Sequence, residues 1–232
     1  MAQSGFHGLI GLYGNQVFLQ RSSLPEKERR DLKFGFVLGN ILPDIDLIPL
    51  VLLYLFDSKL AMTMHRTFTH SFFAAGAIFL FFLLRNRRGL GLGLMAGMVL
   101  HSLVDILVWF SGVELLWPLN LFGLPGGVNL WANYTPPEII SSLLGAADYL
   151  AYGLYFLYLG HLALRQETNM DFLPRLRVYT NLQWLLTAIF VALAFVVKLS
   201  LFNILHYGLF SLVMMPLAIF ITIKLRPAIE GM

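Results

Sequence analysis

Leu42-Pro43-Asp44-Ile45-Asp46 sets two carboxylates beside a proline inside an otherwise apolar run, residues 34–56. An ionised carboxylate taken out of water is costly unless a partner replaces the lost solvation, so acids embedded in apolar sequence mark function first. Each must be paired, protonated or bound to a metal. Pro43 and Pro49 each withdraw a backbone donor and crowd the preceding turn, which predicts a kinked or interrupted helix around Asp44 and Asp46. On a regular helix positions two apart point roughly 200° apart. A broken helix lets both carboxylates face one point.

The composition around this stretch sets the class. Of 232 residues 58% are hydrophobic and 12% charged, and twenty are Phe; a soluble domain is nearer a quarter charged. Several apolar segments approach or reach the ~20 residues that cross a bilayer. The expected fold is therefore all-α, a polytopic membrane helical bundle in one membrane-embedded domain over residues 1–232. Cysteine is absent from the sequence, which excludes disulfides and thiolate ligands and leaves imidazole and carboxylate to hold any transition metal. The net charge of +3 is small and its basic residues sit in short loops. That pattern suits orientation in a lipid bilayer, and no nucleic-acid partner is expected.

Outward from residue 34, the chain reads as alternating apolar segments and polar connectors. Residues 5–19 are Gly-rich and interrupted by His7, Asn15 and Gln16, with no basic residue before them. They read as a retained segment, not a cleaved signal: a tilted helix, a half-helix or a piece packed on the bundle. Residues 21–33, with five basic and three acidic side chains, read as a solvent-facing loop. Residues 57–69 form a connector and residues 72–84 a third apolar segment, with Thr67 or Thr69 as its N-cap. A basic turn at residues 85–88 leads into a helix over residues 90–110. Residues 111–142 contain neither Lys nor Arg and are rich in Gly, Pro, Asn and Trp. They read as a non-cytoplasmic loop, a candidate lid, with interfacial Trp117 and Trp131. Residues 143–164, 182–197 and 201–223 are three further apolar helices. The count is six spans, or seven with residues 5–19. Counting six from residue 34 puts the basic loops on one side, the cytoplasmic one by the positive-inside rule.

The same count brings scattered polar residues to similar depth on the other side: His7, Asp44, Asp46, His65, His70, His101 and Asp105. His101 and Asp105 are four apart and share a helix face. Imidazoles and carboxylates together suit Zn or Mn or another first-row divalent ion, and their number fills one or two sites. The plain readings are a helix-capping Asp46, an Asp44 paired with Arg66 or a histidine, a His101–Asp105 membrane hydrogen bond, and a packing role for His7, His161 and His206. Asp148 stands between a site role and a bond to Tyr152. Joint occurrence at one depth favours the metal, since each group needs a partner in lipid.

Gly5-Phe6-His7, Leu42-Pro43-Asp44-Ile45-Asp46, His65-Arg66-Thr67-Phe68-Thr69-His70-Ser71, His101-Ser102-Leu103-Val104-Asp105 and Leu116-Trp117-Pro118 follow in that order. In this the chain resembles the YdjM-type family of prokaryotic inner-membrane proteins, described as predicted metal-dependent hydrolases. The resemblance covers residues 5–120, the expected metal-site core, and leaves residues 143–223 as three added transmembrane helices. It implies a metal site from Asp44 or Asp46, His65 or His70, His101 and Asp105, with His7 contributing. It also implies a distant similarity to the zinc-dependent phospholipase C and P1 nuclease group, whose His-x-x-x-Asp helix is similar to His101 to Asp105. That group's second His-x-x-x-Glu helix has no convincing counterpart here.

The expectation is a membrane-bound hydrolase of phosphoester or lipid-type substrates, in the inner membrane with its site toward the non-cytoplasmic side. A metal-activated water would attack, with Asp44 and Asp46 as the catalytic carboxylates, Asp46 being either ligand or general base, and Arg66 binding an anionic substrate group. Two rival classes are a metal- or proton-coupled transporter and a non-catalytic protein with a structural metal.

Overall fold

The computed structural model describes residues 4–19, 23–108 and 112–232. The starts of the expected loops at residues 21 and 111, and the end of the expected helix at residues 109–110, lie outside them. Eleven α-helices are described: α1 Ser4–Phe18, α2 Glu26–Gly39, α3 Leu47–Phe56, α4 Ser58–Met64, α5 Phe72–Leu84, α6 Arg88–Val108, α7 Glu138–Arg165, α8 Leu173–Val196, α9 Leu199–Leu209, α10 Met215–Lys224 and α11 Arg226–Glu230. Short 3-10 helices cover Leu42–Asp46, Phe68–His70 and Leu119–Phe122, and a π-helical turn, Phe210–Met214, joins α9 to α10. Among the described residues there is no strand, only an isolated bridge between Val113 and Val128.

The run 34–56 is interrupted where its prolines stand. α2 ends at Gly39, Pro43 opens the 3-10 turn, and Pro49 falls in the first turn of α3, where a missing amide is tolerated. The two helices meet at a bend of 50°. α2 itself begins earlier than expected. Glu26–Lys33 is helical and not a loop, with Glu26 and Glu28 favourably placed in its first turn. Two of its polar residues are met from the far end of the chain: Arg226 pairs with Asp31 and stacks 4.7 Å over the Phe34 ring, and Lys33 donates to the main-chain oxygen of Met232. The expected loop after α6 is likewise shorter, since α7 already starts at Glu138, and Arg175 and Arg177 lie inside α8 and not in a connector.

Backbones of α2 and α6 touch. A Cβ on Gly93 would sit 2.2 Å from the Leu32 carbonyl oxygen, and one on Gly97 2.3 Å from that of Phe36. Gly35 and Gly39 on α2 face Leu90 and Leu94 in the same way. Small residues four apart on both helices let them approach this closely. The pairs Leu32 with Gly93 and Phe36 with Gly97 advance together along both helices, so α2 and α6 run parallel and α5 is the return between them. Replacing Gly97 by Ala is expected to lower stability by about 1–3 kcal/mol despite the better helix propensity of alanine. Thermal unfolding of the detergent-solubilised variant checks this.

Four helices are long and apolar enough to cross a bilayer: Arg88–Val108, Glu138–Arg165, Leu173–Val196 and the α9–α10 unit Leu199–Lys224. Counting the bent pair α2 and α3 as one makes five. The six or seven expected from the apolar runs are not reached, because α5 and α1 have 13 and 15 residues, about 20 Å and 22 Å at the helical rise. Their shortness has a reason in their starting points. α5 starts directly after His70, and α1 starts at Ser4, whose hydroxyl donates to Asp44. Both run from the depth of the polar cluster to the end bearing the basic turns.

Candidate metal centre

All seven sequence-predicted residues meet in one place. Asp44 and Asp46 come from the 3-10 turn, His65 from the residue after α4, His70 from the end of the second 3-10 turn, His101 and Asp105 from α6, and His7 from α1. The N-cap of α5 is Ser71, which accepts from the Ala74 amide at 3.1 Å, and not Thr67 or Thr69. His65 and His70 therefore both precede the helix. Their rings stand perpendicular, centroids 5.1 Å apart, on the same side of the connector.

The histidines' outer nitrogens fix their tautomers. His101 Nδ1–H donates to the Asn40 carbonyl at 2.8 Å. His65 Nδ1–H donates to Asp46 Oδ1 at 2.9 Å. The Thr69 hydroxyl donates to Asp46 Oδ2 at 2.9 Å, so its oxygen accepts from His70 Nδ1–H at 3.0 Å. In the neutral form all three imidazoles then direct a bare Nε2 inward. Those nitrogens lie 3.7 Å (His65), 3.6 Å (His70) and 3.6 Å (His101) from Asp44 Oδ1, and the His70 and His101 Nε2 atoms are 3.2 Å apart. Two lone pairs and a carboxylate at such distances repel one another. A cation among them removes the conflict.

The second half of the cluster is built on Asp105. Its Oδ1 bonds His7 Nε2 at 3.0 Å, and its Oδ2 lies 3.5 Å from His70 Nε2, 3.7 Å from His101 Nε2 and 3.4 Å from Arg66 Nε. His7 stacks on His101 with centroids 3.7 Å apart. Two triads, His7 with His101 and Asp105, and Asp44 with His65 and His70, each bring one ligand atom per residue within 4.8 Å of the others. Tetrahedral bonds of the length zinc makes to nitrogen and oxygen would separate ligand atoms by roughly 3.3 Å. The observed spacings are near this. With neutral imidazoles, the buried Asp44 and Asp105 and the partly exposed Asp46 against Arg66 leave two negative charges, the amount one divalent cation cancels.

Asp46 differs from the other acids. It is tied to His65 and Thr69 and keeps 15% of its side chain exposed, whereas Asp44 and Asp105 are enclosed. Arg66 is buried against Asp105, with its backbone at φ 70°. The loop over residues 112–137 is fastened to the histidine connector: the Glu114 amide donates to the Arg66 carbonyl at 3.0 Å, and the Phe72 amide donates to that of Leu115 at 2.9 Å. Trp117, followed by a cis peptide bond to Pro118, sets its ring on edge to Phe68 at 5.3 Å.

Ser4, Asn40, Thr69 and Asp148 complete the surroundings; sequence reading weighed Asp148 as a site residue and named Thr69 only as a helix cap, and it gave Ser4 and Asn40 no place. Asp148 on α7 accepts from the Gly5 amide at 3.1 Å, capping the helix that carries His7. Asn40 acts through its main-chain oxygen, which leaves no trace in side-chain identity. Thr69, inside the histidine motif, was signalled by position.

An all-α bundle with four membrane-length helices and an enclosed histidine–aspartate cluster defines a helical membrane protein with a polar centre within its apolar body. The chain belongs to the YdjM inner membrane protein family, whose model matches residues 1–226. No curated protein and no solved structure matches it.

Proposed function

We propose that this protein is a membrane-embedded, metal-dependent hydrolase of phosphoester or lipid-type substrates. One observation carries the reading: three imidazoles held by their Nδ1–H groups turn bare Nε2 atoms onto Asp44 Oδ1 at 3.6–3.7 Å. Metal-binding histidines are oriented through the opposite ring nitrogen in this manner. Asp44, His65, His70, His101, Asp105 and His7 would hold one or two ions, Zn or Mn by the donor set. Such an ion supplies Lewis acidity and a water of lowered pKa.

The chain's own residues would do the rest. Asp46, the most exposed of the acids, takes the proton of the attacking water while fixing His65. Arg66 offsets the charge of Asp105 and faces an anionic substrate group. The cluster lies about 20 Å along α6 from Arg88, so with the basic turns on the cytoplasmic side it opens toward the other leaflet, beneath the Trp117 loop. The proposed topology takes α5 as a short crossing beside the five longer ones, which would give six after residue 25.

The bent α2–α3 pair is a device that transporters also use, and the test is built to separate the two. Protein reconstituted in vesicles is expected to hydrolyse a phosphoester or phospholipid, to lose that activity to a chelator and to regain it with Zn or Mn. Metal-ion flux without hydrolysis would overturn the proposal in favour of transport.

A further inference from the structure

At the hairpin end of α7 and α8, far from the polar cluster, the two helices part to form a groove of about 750 Å³. Its walls are mostly apolar, with Phe156, Leu157 and Leu164 from α7 and Leu176 and Trp184 from α8. Two glycines shape it. The Trp184 ring lies over Gly153, where a Cβ would come within 2.9 Å of it, and Gly160 leaves the α7 wall open opposite Leu176. One turn in from the hairpin, Arg177 and His161 line the groove, with the Asn181 amide beyond. No Asp or Glu lines it, and among the described residues Arg177 has no carboxylate within ion-pair distance. Leu157 and Leu164 are more than half exposed, so the groove opens sideways into the apolar surroundings of the bundle.

An apolar trough with an unneutralised guanidinium at one end matches one amphiphile: an acyl chain capped by a negative headgroup. Arg177 and Trp184 are seven residues apart, about 10 Å along α8, which sets a phosphate at Arg177 and the first methylenes of a chain against the indole. A zwitterionic headgroup would place its ammonium beside a groove with no acid to receive it. We propose that this groove binds an anionic phospholipid, phosphate to Arg177 and His161 and acyl chain along Trp184. Asp148, the α7 residue nearest the polar cluster, lies thirteen residues before His161, about 20 Å along the helix. The bound lipid is therefore a resident of the fold and not the substrate of that cluster, and its detection needs no activity.

The test uses the full chain in nanodiscs doped with phosphatidylglycerol or phosphatidylcholine carrying brominated acyl chains, which quench tryptophan on contact. Subtracting the signal of Trp184→Phe isolates Trp184. Half-quenching of Trp184 is expected at about a five-fold lower mole fraction of the anionic lipid, the scale of one basic side chain at an anionic membrane surface. Arg177→Gln with His161→Ala should erase that preference while leaving the melting temperature in lipid-free detergent unchanged. Equal quenching by both lipids, or a preference that survives the double substitution, means annular lipid only and overturns the proposal. Gly160→Leu gives a second reading, since a side chain filling the groove should remove the preference with Arg177 and His161 intact.

Discussion

Purified in detergent, the wild-type protein is expected to carry at least one equivalent of Zn or Mn, and Asp44→Ala and His101→Ala are each expected to retain less than roughly a tenth of it. Losing an outer partner of a metal-bound histidine already weakens affinity by about 10–100-fold, and these substitutions remove ligands. Asp44 is central because His65, His70 and His101 all point at its Oδ1. His101 reaches the same point from α6, held by the Asn40 carbonyl of another segment. Loss of metal in both variants would therefore identify one centre shared by two elements. Full metal content in both, measured by elemental mass spectrometry, would sink the metal reading and leave a cluster whose imidazoles and carboxylates share protons.

How far the sequence foretold this arrangement depends on whether a residue's partner is local. Asp44, Asp46, His101 and Asp105 stood out because ionisable side chains in apolar sequence need a stated reason, and loop charge alone brought them to one depth. The interruption of residues 34–56 was legible for the same kind of reason, since Pro43 and Pro49 act on their own turns. Glu26–Lys33 was misread as a loop because its charges looked solvated. Arg226 and Met232, which accompany Asp31 and Lys33, come from the other end of the chain. The lengths of α1 and α5 were not legible, because an apolar run reports a hydrophobic environment and not the depth at which it begins. Gly35, Gly39, Gly93 and Gly97 carried a readable signal in their spacing of four, yet only the α2–α6 contact shows that the two sets face each other.

Asp46→Asn is expected to lower hydrolysis by about 10²–10⁴-fold, the usual worth of a positioned base, while leaving the metal in place. The carboxamide keeps the shape of the side chain and one oxygen, so His65 Nδ1–H retains an acceptor while the Thr69 hydroxyl loses its own, and the charge that would receive a proton is gone. Asp46→Ala removes both, so His65 loses its tether, and metal affinity should also fall by about 10–100-fold. The pair separates two jobs that the geometry assigns to one side chain: its bond to His65 at 2.9 Å and its partial exposure at the edge of the cluster. Hydrolysis rates set beside metal content decide between them. If the Asn variant keeps full activity, Asp46 only orients His65 and is not the base.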